Sequence, residues 1–296
     1  MKKVTVIIPA YNRRSDLSIA IDSVLNQSYS NLELIVVDDA SEEDVKGLVK
    51  NIEDSRIKYI AHDENQGGAA ARNTGIKHAN ADLVAFLDSD DYWLPKKLEQ
   101  QVAEMEQLPS EYVGTYCNIS SGRDNWVTKK IGRLIEKDYR PEGDNEIISA
   151  LVFPNTSLGF GSTLLVNRQT AVEVGGFDES LDRHQDIQFG ISVALEGKLS
   201  AIEETLVHRG DSAIPSIEAV RNSKEHLYAL FEEELNGMPV DVDSAIMSHE
   251  FQLGRLHISH GHFIQGFNRM SRGSPHTYKQ YVRLAYSIFK GVQNKI

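Results

Sequence analysis

Residues 83–93 read "LVAFLDSDDYW". Five apolar positions, Leu83 to Leu87, run straight into Asp88, Ser89, Asp90 and Asp91. A continuous apolar run without alternation is the pattern of a strand covered on both faces of a sheet. Three carboxylates at the end of such a strand repel one another unless something positive or polar meets them. Asp88 and Asp90 are two apart, so on an extended segment they point to the same side. Two readings follow: acids that are solvated or cap the next helix, or hard-oxygen ligands for Mg2+ or Mn2+ carrying phosphate.

Upstream, strand and helix patterns alternate. "KVTVIIP" (3–9) reads as a first strand, and Leu17, Ala20, Ile21, Val24 and Leu25 then repeat at helical spacing. "LELIVVDD" (32–39) is a second strand, followed by a polar helix near Glu42 to Asn51; "RIKYIA" (56–61) is a third. A helix starting near "GGAAARNTG" (67–75) leads into the fourth, "DLVAFLD". This alternation predicts an α/β fold with a mainly parallel central sheet flanked by helices. Ligands of such sheets bind beyond the carboxyl ends of the strands, where Asp38, Asp39, Asp88 and Asp90 all fall. The turn after strand one, "PAYNRRSD" (9–16), has neither a G-x-G-x-x-G nor a G-x-x-x-x-G-K-[ST] loop. A diphosphate bound here must be neutralised by a metal and by cations such as Arg72.

Downstream of residue 110 the pattern loosens. "YVGTYCNI" and "STLLVN" read as strands and "DRHQDIQFGISVALEG" as a helix, with loops at "GRDNWVTKKIGRL" and "DYRPEGDNE". After about Ile214 the patterns are helical, broken at "NGMP" and "RGSP". The 296 residues, 41% hydrophobic and 25% charged, suit one large core with a small appended unit. Cys117 is the single cysteine, which excludes an intrachain disulfide and a thiolate zinc cluster. No apolar run has the length of a membrane span, and "MKKVTVIIPAYN" reads as a strand and not as a signal peptide, so a cytoplasmic location is expected. The net charge of −12 disfavours nucleic acid as a partner. From Arg255 to Ile296, however, there are seven Lys or Arg and no acid.

Five segments carry a more specific signal: "VTVIIPAYNR" (4–13), "SVLNQSYSNLELIVVDDAS" (23–41), "NQGGAAARNTG" (65–75), "LVAFLDSDD" (83–91), and "GGFDESL" (175–181) with "HQDIQFGISVA" (184–194). In this order and at these spacings they resemble the inverting family 2 glycosyltransferases of GT-A fold, over residues 3 to about 210. The resemblance implies a catalytic domain at 1–212, with a nucleotide-binding half at about 1–110 and an acceptor-binding half at 111–212. A helical extension, 213–296, would follow. The activity implied is metal-dependent transfer of a sugar from a nucleotide-diphosphate donor, a UDP-sugar, to a hydroxyl of a glycan or lipid-linked acceptor.

Residue by residue, the resemblance places Pro9, Ala10 and Tyr11 at the base, with Tyr11 either offering a ring face or simply packing. Asp39 would accept an N–H of the base, or cap the helix before "SEED". Gly67 and Gly68 would let backbone approach the nucleotide, or only open the helix. Arg72 would meet the diphosphate, unless it makes a surface ion pair. Asp88 and Ser89 would sit near the ribose and metal, Asp90 would ligate Mn2+ or Mg2+, and His208 would complete the coordination or reach the diphosphate, or serve only the structure. Asp91 is expected to cap the helix near Pro95. Asp186 would be the general base. Where many relatives carry Glu-Asp, this chain has Gln185-Asp186. Gly161 and Ser162 would floor the sugar site, His184 would approach the acceptor, and Trp93 and Trp126 would stack on sugars or pack.

In the basic tail, Tyr278, Tyr281, Val282, Ala285, Ile288, Phe289 and Val292 form one arc of a helical wheel, with Lys279, Arg283 and Lys290 on another side. The arc suits packing on the protein's own core, or peripheral contact at the inner membrane face. Competing functions are a phosphatase of haloacid-dehalogenase type, a sugar nucleotidyltransferase and a non-catalytic nucleotide-sugar-binding protein. The phosphatase places its D-x-D on the first strand and not the fourth; the nucleotidyltransferase needs a Gly-rich basic loop after strand one. Sequence does not decide between a monomer and a homo-oligomer.

Overall fold

A computed structural model describes residues 2–121, 141–153, 158–210 and 216–275, and positions 281, 284, 285, 287 and 288. Four strands, β1 (Val4–Ala10), β2 (Leu32–Asp38), β3 (Ile57–Ala61) and β4 (Leu83–Phe86), pair in parallel in the order β3-β2-β1-β4. The first two and the fourth are apolar runs, and every residue of β2 and β4 is buried. Their crossovers are α1 (Arg14–Leu25), α2 (Val45–Lys50) and α3 (Gly68–His78). On α1 the helical spacing read from sequence buries Leu17, Ala20, Ile21 and Val24.

Beyond β4 come β5 (Tyr92–Trp93), α4 (Lys97–Gln107), β6 (Tyr112–Ser121), α5 (Asn145–Val152), α6 (Phe160–Thr163), β7 (Leu165–Asn167), α7 (Arg168–Glu173), α8 (Gln185–Glu196) and β8 (Lys198–Arg209). They extend the sheet to eight strands in the order β3-β2-β1-β4-β7-β6-β8-β5. Here the pairing is mixed. β7 runs antiparallel to both β4 and β6, and β5 antiparallel to β8, while β6 and β8 are parallel. The sheet is therefore parallel in its first half and mixed in its second. Where "STLLVN" suggested a strand, the chain makes a helical turn at Phe160–Thr163 first, and only Leu165–Asn167 is strand.

Two cores cover the two faces. Leu17, Ile21, Val45, Val49, Leu98 and Val102 pack on one side of β1 and β2. Phe86, Ile76, Leu151 and Phe189 pack on the other, and this second core also takes Leu227, Phe231, Leu235 and Ala245. Leu227, Leu235 and Ala245 belong to α9 (Ile217–Leu230), α10 (Glu232–Asn236) and α11 (Val242–Ser259), with Phe231 at the junction of the first two; α12 (Phe263–Met270) follows. Each large apolar side chain so buried contributes about 1.5–3 kcal/mol. The C-terminal helices are thus packed against the α3, α5 and α8 side of the sheet. Among the described residues no helix is long and apolar enough to cross a membrane. Trp126 and the tail positions Tyr278, Lys279, Val282, Arg283, Phe289, Lys290 and Val292 lie outside the described residues.

Candidate active site

From β1 the chain winds to β2 and β3 on one side, then returns through α3 to β4 on the other. The loops after β1 and β4 therefore diverge and leave a crevice at the carboxyl edge. Pro9, Ala10, Tyr11, Arg13, Asp39, Gly68, Ala71, Arg72, Asp88, Ser89 and Asp90 line this cleft, about 280 Å3 in volume. Tyr11 is 46% exposed, so its ring is open to a ligand.

The acidic loop is fixed at both ends. Leu87 N donates to Ile7 O at 3.1 Å, and Tyr92 and Trp93 pair with His208 and Val207 of β8. Between them, buried Asp91 accepts from Ser162 Oγ at 2.6 Å and from Gly210 N at 2.9 Å. Burial, and then the charge of Asp88, push its pKa up to about 6. Asp91 thus anchors the loop and does not cap the following helix, whose N-cap is Lys96. Ser162 also receives Asp88 N at 3.1 Å, which explains the helical turn at Phe160–Thr163. Trp93 is buried, its indole N–H donating to Ser162 O at 2.8 Å; it packs in the core and is not a sugar platform.

Two of the cleft carboxylates, Asp88 and Asp90, each meet an arginine. Arg72 Nη2 donates to Asp88 Oδ1, and Arg13 Nη1 to Asp90 Oδ2 at 2.9 Å. Arg72 is held from α3, its Nη1 reaching Gly68 O at 3.1 Å and Gln185 Oε1 at 3.2 Å, with its guanidinium 5.3 Å from the centroid of Phe177. Its Nε is buried without a partner among the described residues. Two carboxylates in a partly open cleft fit Mg2+ or Mn2+, which take one or two carboxylates plus substrate phosphates and water. Among the described residues no group of three His, Cys, Asp or Glu could hold a metal by itself. His208 is outside the cleft lining: its Nδ1 lies 2.8 Å from Ser120 Oγ, and its ring is 4.7 Å from that of Tyr92.

Asp39 is 3% exposed. It accepts from Gln66 N at 2.9 Å, Gly67 N at 2.8 Å and the His62 ring at 2.7 Å. It therefore ties the start of α3 to the end of β2; α2 is capped by Asp44, which accepts from Gly47 N. Gly67 has φ +91, a backbone that favours glycine, and this lets its N–H face Asp39. Gly68, not Gly67, lines the cleft. Asp38 accepts from Tyr59 Oη at 2.6 Å and from Ser41 N at 3.0 Å, a supporting role one layer back.

Asp186 opens α8 and lines a second cavity of about 210 Å3, with His184, Lys224 and Gln252 among its neighbours. Burial, then the charge of Asp88, raise its pKa above the ordinary carboxylate value, while Arg72 and Arg209 oppose that. The preceding Gln185 accepts from Arg72 Nη1, so Arg72 ties the residue before Asp186 to the acidic cleft.

A family model for glycosyl transferase family 2 matches residues 5–174. The chain belongs to that family. Among similar proteins, AmsB of Erwinia amylovora, an amylovoran biosynthesis glycosyltransferase, is 30% identical over 244 residues, 75% of this chain and 78% of AmsB. WfgD of Escherichia coli, a UDP-Glc:alpha-D-GlcNAc-diphosphoundecaprenol beta-1,3-glucosyltransferase, is 45% identical over 102 residues, which is 34% of this chain and 40% of WfgD. Against the first relatives the match therefore spans less than two thirds of their length. In fold, the chain is similar to Staphylococcus aureus TarS 1-349, with a TM-score of 0.64 at 18% identity over 99% of this chain and 88% of that one. It is equally similar to the mannosyltransferase PcManGT of Pyrobaculum calidifontis, solved with GDP-Man and Mn2+, at TM-score 0.64 and 16% identity over 99% of this chain and 87% of that one. The fold is the GT-A α/β fold with a helical C-terminal region.

Sequence reasoning about this family 2 chain missed Arg13, Lys224 and Gln252. Arg13 stands in the quoted turn "PAYNRRSD", and a basic pair just past a strand end was a usable signal. Lys224 and Gln252 lie beyond the family match on ordinary helical patterns, and no local signal marks them.

Proposed function

We propose that the protein is a metal-dependent, inverting glycosyltransferase. It moves a sugar from a UDP-sugar to a hydroxyl of a lipid-linked or glycan acceptor, with residues 1–212 as the catalytic domain and 213–296 as its helical extension. The observation that carries this reading is the bridge made by Arg72: one guanidinium joins the acid-lined cleft through Asp88 to the Asp186 cavity through Gln185. The donor cleft and the residue preceding the base are then tied by one side chain.

In this reading Pro9, Ala10 and Tyr11 hold the base, with the exposed Tyr11 ring as its stacking face. Asp39 fixes the loop edge and the mouth of α3. Arg13 and Arg72 exchange their carboxylate partners for the donor's phosphate oxygens. A divalent cation held by Asp88 and Asp90 supplies, when bound, positive charge to the departing diphosphate. His208 supports Tyr92 and so the loop, not the diphosphate. Asp186 takes the proton of the acceptor hydroxyl as it attacks the anomeric carbon, and attack opposite the leaving group inverts the configuration.

A lipid-linked acceptor is supported by the name of WfgD and by the exposed side of the C-terminal region. Ile264 and Phe267, one turn apart on α12, are 77% and 51% exposed within the stretch that contains no acid. Such a surface suits peripheral contact with an anionic membrane.

The test is an assay of UDP-glucose and UDP-N-acetylglucosamine with Mn2+ and a GlcNAc-diphosphoryl lipid, reading product configuration by NMR. A β-linked product from an α-linked donor, lost in Asp186→Asn while UDP still binds, is expected. A general base contributes typically 10²–10⁴-fold. Retention of configuration, or wild-type transfer by the variant, contradicts the assignment.

A further inference from the structure

Half of the residues lining the Asp186 cavity, among them Lys224 and Gln252, lie outside the family match. Leu151, Phe160 and Ile187 give it apolar walls; Lys224 of α9 and Gln252 of α11 bring polar groups from the C-terminal helices. Lys224 is 2% exposed. Its ammonium donates to the carbonyls of Val152 at 3.2 Å and Leu151 at 3.4 Å. An ammonium carries three donors, so these two bonds leave one N–H for another partner. Burial pulls the Lys224 pKa down to about 8, the expected sign for a lysine short of polar company.

Two histidines beside it are also short of partners. His184 Nδ1 and His249 Nε2 are buried with no hydrogen bond among the described residues. The other nitrogen of His249 is 3.3 Å from Gln252 Oε1. His184 moreover holds a left-handed backbone at φ 62, which non-glycine residues rarely adopt outside constrained sites. Buried polar groups are ordinarily paired, so the unpaired His184 Nδ1 and the spare Lys224 N–H on the cavity lining, with His249 behind them, point to a ligand that supplies the missing contacts. At about 210 Å3 the cavity is smaller than sites for drug-sized ligands, roughly 300–1,000 Å3, and suits a single sugar ring.

We propose that this cavity is the subsite for the acceptor's terminal sugar, completed by the C-terminal helices. Lys224, Gln252 and His184 hold its oxygen atoms, the apolar walls take its C–H face, and one hydroxyl is presented to Asp186. The proposal rests on Asp186 being the base in the function above. It makes the helical extension a determinant of acceptor choice, in the part of the chain where the family model does not reach.

The experiment is saturation-transfer NMR on the full chain with UDP and Mn2+ present. The probes are the methyl glycosides of glucose, galactose, N-acetylglucosamine and glucuronic acid. Wild-type protein is compared with Lys224→Met and Gln252→Ala, and UDP affinity is measured on each by calorimetry. The second variant leaves the carbonyl bonds of Lys224 in place and carries the test if the first does not fold. Transfer to at least one glycoside in wild type, reduced at least fivefold in the variants with UDP affinity unchanged, is expected. Signal from none of the glycosides, or equal signal in wild type and variants, overturns the subsite while leaving the donor cleft intact. Failure of the wild type to bind UDP overturns the functional reading, and this proposal with it.

Discussion

Arg72 Nη1 lies 3.2 Å from Gln185 Oε1, across 113 residues of sequence, while the same guanidinium holds Asp88. Gln185 therefore lets Arg72 serve Asp88 with its full charge. In Gln185→Glu a second carboxylate would share the arginine and stand beside Asp186. Added negative charge disfavours ionisation of a neighbouring acid. The acidic limb of the transfer rate, which rises as Asp186 loses its proton, should move upward by about 0.5–1 pH unit. A pH profile of kcat/KM for both proteins checks this; an unmoved limb, or one displaced downward, contradicts it.

Arg13 is a half-exposed partner of Asp90, and exposed pairs of this kind are worth about 0.2–1 kcal/mol. Removing it in Arg13→Ala takes away a positive charge that competes with a cation for this carboxylate. Mn2+ should bind the nucleotide-free variant up to about fivefold more tightly, by electron paramagnetic resonance. The same variant should bind UDP more weakly, because the diphosphate loses a positive partner.

Gly161 sits directly beneath Asp88. A Cβ there would lie 2.8 Å from Asp88 Oδ2, inside contact distance. The Asp88 carboxylate must swing away from that Cβ, so Gly161→Ala should weaken Mn2+-dependent UDP binding by about fivefold or more, the equivalent of ~1 kcal/mol. Circular dichroism should show unchanged secondary structure, since the displaced atoms are the far end of one side chain.

Away from the site, Glu33 offers a pH test of the fold. Burial by itself would raise its pKa, but bonds from Thr5 Oγ1 at 2.6 Å, Asn80 N at 2.9 Å, Lys3 Nζ at 2.9 Å and Lys58 Nζ at 3.2 Å outweigh that and lower it to about 2. A depressed carboxylate pKa stabilises the fold above its unfolded value and loses that contribution as pH falls. Glu33→Gln should therefore cost about 1–2 kcal/mol at neutral pH. The difference from wild type should shrink from about pH 4.5 downward and vanish near pH 2, the two ends of the shift. Urea melts at several pH values decide it.

What was legible in the sequence was what local pattern controls. The apolar runs at Val4–Ala10, Leu32–Asp38 and Leu83–Phe86, and the spacing of Leu17, Ile21 and Val24, are local properties, and each became the expected element. Strand order then carried Pro9, Asp39 and Asp90 to one cleft. What was not legible depended on distant partners. The two-residue β5 exists because Tyr92 and Trp93 find β8, and Asp91 turns inward because Ser162 and Gly210 meet it. "STLLVN" has strand propensity throughout, yet the bonds of Ser162 to the acidic loop hold its first residues in a helical turn. His208 was named with a structural role as its alternative, and the register of β8 that sets it beside Tyr92 could not be read from its own stretch. Lys224 reaches the Asp186 cavity only because α9 joins the α5 and α8 core, which no window of sequence displays.

The central claim is that the edge formed by Asp88 and Asp90 takes a nucleotide diphosphate together with a divalent cation. Calorimetric titration of UDP into wild type with Mn2+, into wild type with EDTA and into Asp90→Asn with Mn2+ tests it most directly. Binding in the first case, weakened at least tenfold in the other two, is the predicted result. Equal affinity in all three, or no binding in any, would contradict it.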